Sequence, residues 1–264
     1  MNTDGAGLAV IPCLNEARHI GDVVEGARRH ISRVIVVDDG STDGTAALAA
    51  SAGAVVLQHP SPRGKGAALA TGLSHALEMG AAWALCLDGD GQHSADDIPV
   101  FLTAASESGA GLIIGNRFAN APRMPWLRRV VNQVLSRWIG VLVGRAIPDS
   151  QCGFRLIRLD LWQRLNLGSR RFEVESEMIV ASVRVGASIE FVPVQSVYGV
   201  ETSKIAPIRD SLRWLRWYVG AIRARATTSK PGSSGIHVAV RPVPAPSRSQ
   251  EPACSERISR TEPH

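Results

Sequence analysis

Cysteine is scarce and scattered. Cys13, Cys86, Cys152 and Cys254 form no CxxC pair and have no histidine at ligand spacing. A disulfide framework and a structural zinc site are thereby excluded, and the pattern suits a reducing cytoplasm. Cys13 and Cys86 fall in or beside apolar runs, where a thiol reads as a buried small hydrophobe. Long hydrophobic runs are also missing. The most apolar stretch, residues 130–143, is interrupted by Asn132, Gln133 and Arg137. It cannot supply the ~20 predominantly apolar residues that cross a bilayer, so any membrane contact is expected to be peripheral. Residues 1–7 are polar and show no signal-peptide pattern. There is no internal repeat. Charge of one sign is modest, +5 in all, with much of it after Arg123 in segments rich in Arg and Trp. That marks a local basic surface, and no nucleic-acid partner is expected.

What remains is ordinary for a globular chain: 264 residues, 45% hydrophobic and 20% charged, enough for one good core. Strands are expected over residues 8–12, 33–37, 54–58, 83–87 and 110–115, and helices over 16–29, 42–51, 66–79 and 94–108. Strands apolar throughout and separated by helices imply an α/β, doubly wound, mostly parallel sheet with helices on both faces. Further on, 122–144 reads as a basic, Trp-bearing amphipathic helix and 154–157 as a strand. Residues 172–185 read as a helix, 188–192 as a last strand and 208–226 as a second basic amphipathic helix. From 227 the composition turns to Ser, Pro, Gly and Arg without periodicity, so 227–264 is expected to be disordered. Residues 1–226 are then one domain with its core over 7–200.

In such sheets ligands sit beyond the carboxyl ends of the strands, and the sequence changes character there. Asp88 and Asp90 flank one glycine at a strand end, with Gln92 two residues on. Alternate residues of an extended segment point the same way, so two carboxylates and an amide oxygen could meet on one hard cation, Mg²⁺ or Mn²⁺. A polar turn capping the next helix, with Ser94 and Asp97 as a capping box, explains those two residues but leaves both aspartates unaccounted for. Asp38 and Asp39 end the second strand before a Gly-Ser-Thr turn, where one carboxylate could accept from a base NH or a ribose hydroxyl. Capping by Ser41 or Asp43 is the plainer alternative. Arg63-Gly-Lys-Gly66 opens a helix and could approach phosphate, although it matches no Gly-rich phosphate-binding pattern.

Together these segments resemble the family 2 glycosyltransferases with the GT-A fold, and within them the dolichyl-phosphate mannosyltransferase and bacterial polyprenyl-phosphate glycosyltransferase branch. The resemblance covers roughly residues 7–220. It rests on Ile11-Pro-Cys-Leu-Asn-Glu16, Val36-Val-Asp-Asp-Gly-Ser-Thr-Asp-Gly-Thr45, Arg63-Gly-Lys-Gly66, Leu87-Asp-Gly-Asp-Gly-Gln-His93, Gly115-Asn-Arg-Phe118, Asp149-Ser-Gln-Cys-Gly-Phe-Arg155 and Thr202-Ser-Lys204. It implies transfer with inversion from GDP-mannose or a UDP-hexose to a membrane-embedded polyprenyl phosphate, at the inner face of the membrane, with Mg²⁺ or Mn²⁺. On this resemblance Pro12, Leu14, Glu16 and Asp39 hold the nucleoside, and Asp88, Asp90 and Gln92 bind the metal and the donor diphosphate. Lys65 and Lys204 complete the donor site, and Arg117, Arg128 and Asn132 meet the acceptor phosphate. Two positions depart from it. Leu14 stands where relatives often carry an aromatic, and Val200 and Glu201 stand where they often place an arginine.

A phosphate acceptor is already anionic near neutral pH and needs no strong base; Arg117 and Arg128 would position it. A hydroxyl acceptor of a glycan, glycolipid or small molecule would need a carboxylate base, and Asp149 is the first candidate, ahead of Glu175 and Glu177. The catalytic set is then Asp90, Arg117 and Asp149. A nucleotidyltransferase would carry a Gly-rich basic loop after the first strand, where this chain has Pro12-Cys-Leu-Asn-Glu16. A non-catalytic nucleotide-sugar-binding module would need no intact Asp88, Asp90 and Gln92. Independently of any family, Arg209, Arg213, Arg216, Arg223 and Arg225 accompany Leu212, Trp214, Leu215, Trp217 and Tyr218 in one helix. That composition suits an anionic membrane interface, or a terminal helix whose tryptophans pack on the domain. The sequence sets no oligomeric state.

Overall fold

The computed structural model describes residues 7–120, 124–195, 207–227 and 237–243. An eight-stranded sheet runs in the order β3-β2-β1-β4-β6-β5-β7-β8. The strands are β1 (Gly7–Cys13), β2 (Val34–Asp38), β3 (Val55–Gln58), β4 (Trp83–Cys86), β5 (Leu112–Asn120), β6 (Arg155–Arg158), β7 (Ile189–Gln195) and β8 (Val238–Val240). Between them lie α1 (Ile20–Arg28), α2 (Thr45–Ser51), α3 (Lys65–Glu78), α4 (Ile98–Ser108), α5 (Trp126–Val143), α6 (Leu159–Trp162), α7 (Glu173–Arg184) and α8 (Pro207–Thr227).

Every residue of β1, β2 and β4 is buried, as parallel strands sandwiched between helices require. β3 has no fully buried residue because it ends the sheet. α3 covers β1 and β2 at very close range. A Cβ on Gly72 would lie 2.4 Å from Val10 Cγ1 and 3.0 Å from Val37 Cγ2, so only glycine lets this helix lie flat on the strands. The sheet is parallel except for β6, which pairs antiparallel with both β4 and β5. β6 thus wedges between two strands that precede it in the chain, and the loop before it, residues 149–154, arrives at the carboxyl ends of β4 and β5.

Three expectations are corrected for identifiable reasons. α1 begins at Ile20 instead of Glu16 because the amides of Asn15, Glu16 and Ala17 are taken by Ser41 Oγ (2.8 Å), Thr45 Oγ1 (2.9 Å) and Asp43 Oδ2 (3.1 Å) of the neighbouring loop. Asn15 itself sits at φ 53° and accepts from the Thr42 amide at 2.9 Å. Asp97 forms no capping box with Ser94: its carboxylate turns away to accept the Gln195 amide of β7 at 2.7 Å. Within the segment expected to be disordered, Val238–Val240 pair in parallel with β7 as an edge strand. Arg241 follows, ion-paired with Glu190 and, at 2.7 Å, with Glu107.

α8 is tied to the domain by its aromatics. Trp214 is buried, donates to Ser176 Oγ at 3.0 Å and stacks on Tyr218, whose hydroxyl donates to the Trp138 carbonyl of α5 at 3.0 Å. Much of what the two helices leave exposed is apolar, with Arg129, Gln133 and Arg137 also exposed on α5. α5 presents Trp126, Leu127, Val130, Val134 and Val141, and α8 presents Leu212, Leu215, Val219 and Ile222. Arg216 and Arg223 are exposed beside the second stripe, whereas Arg213 leans toward Glu173 at 3.5 Å. The side chains of Arg209 and Arg225 lie outside the described residues. No helix among the described residues is long and apolar enough to cross a membrane.

Candidate active site

The carboxyl ends of β1, β2 and β4 meet where the chain, having run from β1 outward to β3, crosses back to β4. That is the switch point at which doubly wound sheets bind ligands. Three expected loops converge there. Pro12 is buried at the end of β1, while Leu14 and Glu16 are half-buried. Gly89, between the two aspartates, lies so close to this loop that a Cβ on it would stand 2.9 Å from Cys13 Cβ and 3.5 Å from Glu16 Cγ. The structure therefore brings Glu16 beside the loop of Asp88 and Asp90.

Asp38 and Asp39 are both buried and both engaged. Asp38 accepts the Ser41 amide at 2.9 Å and Gln58 Nε2 at 3.2 Å. Asp39 accepts the amides of Arg63 at 2.9 Å and Gly64 at 2.7 Å, and pairs with His59 Nδ1 at 2.7 Å. In this state Asp39 works as the anchor of the 59–64 loop.

Asp88 Oδ1 lies 2.6 Å from Lys65 Nζ, and Oδ2 lies 3.3 Å from His93 Nε2. Burial alone pushes the Asp88 carboxyl up, but Lys65 and His93 outweigh it and hold the group below the usual carboxylate range. Burial likewise disfavours the Lys65 ammonium, and Asp88 and Glu175 overcome that and raise it. Glu175 completes the group, its Oε1 also 2.6 Å from Lys65 Nζ. Glycine is required at position 153, since a Cβ there would stand 2.6 Å from Asp88 Oδ2 and 2.9 Å from Lys65 Nζ. Asp90 is less committed. One oxygen accepts the Gln92 amide at 3.0 Å, and the other has no partner among the described residues. Gln92 Oε1 accepts from Arg128 Nη1 of α5 at 3.5 Å.

Among the described residues no three His, Cys, Asp or Glu side chains are grouped as a metal site. The donors that are present, Asp90 with an open oxygen and Asp88 held ionised, are hard oxygen ligands. They fit a Mg²⁺ or Mn²⁺ ion that takes its other ligands from substrate phosphates and water.

The second half of the site is built on β5 and the loop before β6. β5 breaks register with β7 between Asn116 and Asn120, and Arg117 lies in that irregularity. Arg117 donates to both oxygens of Asp149, from Nε at 2.8 Å and from Nη2 at 2.9 Å, and Asp149 is fully buried. The Ser150 amide donates to Ser136 Oγ at 2.8 Å, which fixes this loop to α5. Arg128 and Asn132 follow each other at one helical turn on the half-buried face of α5. Lys204 lies outside the described residues.

The structure gives three residues roles that the sequence does not reveal. By sequence Glu175 reads as a candidate base; its pairing with Lys65 depends on a contact between residues 110 apart. His93, which closes on Asp88, ends the motif Leu87–His93. Arg155 is 2% exposed and donates to three carbonyls: Cys152 at 2.7 Å, Glu175 at 2.6 Å and Ser150 at 2.9 Å. Burial lowers its pKa, with Glu175 nearby opposing. An arginine directly after Phe154 and before the apolar pair Leu156-Ile157 was the available signal. The thiols of Cys86 and Cys152 are each pushed up to about 12 by burial and stay protonated.

The sequence profile of Glycosyl transferase family 2 matches residues 8–164, which contain the Asp88–Asp90 loop and its partner loops. The chain belongs to that family. Among relatives, this glycosyltransferase is 35% identical to glycosyltransferase AglJ of Haloferax volcanii, over 88% of this chain and 75% of that protein. It is 29% identical to the UDP-N-acetylglucosamine–dolichyl-phosphate N-acetylglucosaminyltransferase of Methanococcus voltae, over 72% of this chain and 84% of that protein. Its fold matches glucosyl-3-phosphoglycerate synthase of Mycobacterium tuberculosis, solved with Mn²⁺, uridine diphosphate and phosphoglyceric acid. There the TM-score is 0.62 at 21% identity, over 86% of this chain and 80% of that one. The eight-stranded, mostly parallel sheet is the GT-A fold.

Proposed function

We propose that this glycosyltransferase moves a sugar, with inversion, from a nucleoside-diphosphate sugar to a polyprenyl phosphate at a membrane surface. One observation carries the choice of acceptor. All three carboxylates considered as a base for a hydroxyl acceptor are engaged elsewhere: Asp149 by Arg117, Glu175 by Lys65, and Glu177 by the amides of Gly168 at 3.0 Å and Ser169 at 2.8 Å. An acceptor that is already an anion needs none of them. The relative from Methanococcus voltae, whose name gives a dolichyl phosphate as acceptor, supports the same reading.

In this reading Asp90 and Asp88 would hold Mg²⁺ or Mn²⁺, and the synthase solved with Mn²⁺ and uridine diphosphate supports such a use of the fold. A divalent cation there would neutralise charge developing on the departing diphosphate. Lys65 adds a fixed positive charge beside Asp88. Pro12, Leu14, Glu16 and Asp39 would hold the nucleoside, and Lys204 is assigned to the donor site by the family resemblance alone. Arg128 and Asn132 on α5 receive the acceptor phosphate with Arg117, whose guanidinium Asp149 holds in one orientation. The donor is a UDP-hexose or GDP-mannose. The exposed aliphatic stripes of α5 and α8, with Arg216 and Arg223 alongside, would rest on anionic headgroups at the inner face and bring the acceptor to Arg128. Residues 1–226 form the catalytic domain.

The test is incubation with a panel of UDP- and GDP-sugars, a polyprenyl phosphate and Mg²⁺ or Mn²⁺, with the corresponding polyprenol as control. Release of nucleoside diphosphate with a glycosylated lipid phosphate of inverted anomeric configuration is expected. Transfer to the polyprenol alone would refute the acceptor assignment.

A further inference from the structure

Glu175 does not sit among the residues read as touching donor or acceptor, yet it is buried and ionically tied to them. Its Oε1 lies 2.6 Å from Lys65 Nζ, the same distance that separates Nζ from Asp88 Oδ1. The side chains of Lys65, Asp88 and Glu175 are 14%, 26% and 8% exposed, so solvent screens them weakly. Glu175 is also fixed from behind: Arg155 Nη1 donates to its main-chain carbonyl at 2.6 Å. The backbone at Gly153 packs against both Lys65 and Asp88. Lys65 is therefore held between two carboxylates with little room to leave either.

The charge of this triplet matters for what binds in front of it. Two carboxylates and one ammonium carry −1 together. Without Glu175 the ammonium would belong to Asp88 alone, and the pair would be neutral. A neutral pair attracts a cation less and repels a diphosphate less.

We propose that Glu175 is a positioning residue that sets the charge of the donor site. By sharing the Lys65 ammonium, it leaves Asp88 able to assist Asp90 with a divalent cation and restrains Lys65 from gripping a diphosphate without one. Glu175 thereby makes donor binding conditional on the cation. This rests on the donor-site reading above.

Glu175→Gln keeps the shape and an oxygen for Lys65 while removing the charge. UDP and GDP are titrated calorimetrically with and without Mg²⁺, and Mn²⁺ alone is titrated by its free-ion electron paramagnetic resonance signal. In Glu175→Gln, Mn²⁺ binding is expected to weaken on the order of tenfold, while metal-free nucleotide binding tightens by a similar factor. Lys65→Met, an independent arm, is expected to reverse both signs. A packing role moves both affinities the same way. If both fall together in Glu175→Gln, or neither moves, the inference is overturned. If Glu175→Gln does not fold, Lys65→Met decides alone: unchanged Mn²⁺ affinity, or loss of both affinities, overturns it. An unsubstituted chain that binds neither UDP nor GDP with Mg²⁺ overturns the donor-site reading beneath it.

Discussion

Arg117 clasps both carboxylate oxygens of Asp149, and the carboxylate is wholly shielded from solvent while the guanidinium is 13% exposed. The Arg117 amide donates to the same carboxylate at 3.2 Å. Asp149 thus gives the guanidinium one orientation, which matters for a group expected to meet a phosphate. It also removes Asp149 from consideration as a free base, and it makes the pair a stability element as well as a functional one.

Arg117→Ala should therefore cost about 3–5 kcal/mol of folding free energy, because it strands a buried carboxylate. Urea denaturation measures this. Pairing it with Asp149→Leu should restore most of the stability and none of the transfer. A loss below about 1 kcal/mol in the single variant would show that Asp149 is not confined as described.

Asp90→Ala should behave in the opposite manner. Its carboxylate is half-exposed and, among the described residues, supports only the Gln92 amide, so folding should change by no more than about 1 kcal/mol. Turnover should fall by at least about a hundredfold, as expected when a ligand of the charge-stabilising cation is removed. Near-normal turnover at saturating Mg²⁺ would sink the proposed role.

Trp126→Glu and Val141→Glu change side chains that are 76% and 68% exposed. Each should leave the unfolding midpoint unchanged, within about 0.5 kcal/mol. Co-sedimentation with vesicles containing anionic lipid should drop clearly in each, and binding by the unsubstituted chain should weaken with added salt. Undiminished sedimentation in both would remove the membrane from the account of α5.

Gly72→Ala tests how α3 is seated. A methyl group 2.4 Å from Val10 Cγ1 must push the helix or the strand, at about 1–3 kcal/mol. Thermal denaturation should register the loss. A neutral result would mean that the helix stands farther from β1 than described.

Much of the architecture was legible because its signals are local. The all-apolar runs of β1, β2 and β4 could be read directly, since a parallel strand covered on both faces tolerates little else. The polar loops at their ends stood out against those runs, which is why Asp39, Asp88 and Asp90 were found together. Helix starts were less legible: α1 loses its first turn to hydroxyl and carboxylate groups from the 41–45 loop, which lie more than 20 residues away. The order β4-β6-β5 was not legible either, because a strand's apolar pattern does not say which neighbour it joins or in which direction. β8 is only three residues long, too short for any periodicity to announce it.

The sequence by itself determined the class of sheet, the positions where polar loops interrupt it, and the supply of oxygen ligands and arginines at those loops. Such features depend on residue type and spacing along the chain. Only the tertiary structure decided which polar and charged groups pair: Asp39 with amides of the 59–64 loop, Asp149 with Arg117, and Lys65 between Asp88 and Glu175. Electrostatic energy depends on distance and burial, and chain separation carries almost no information about either once a sheet has folded its strands out of order.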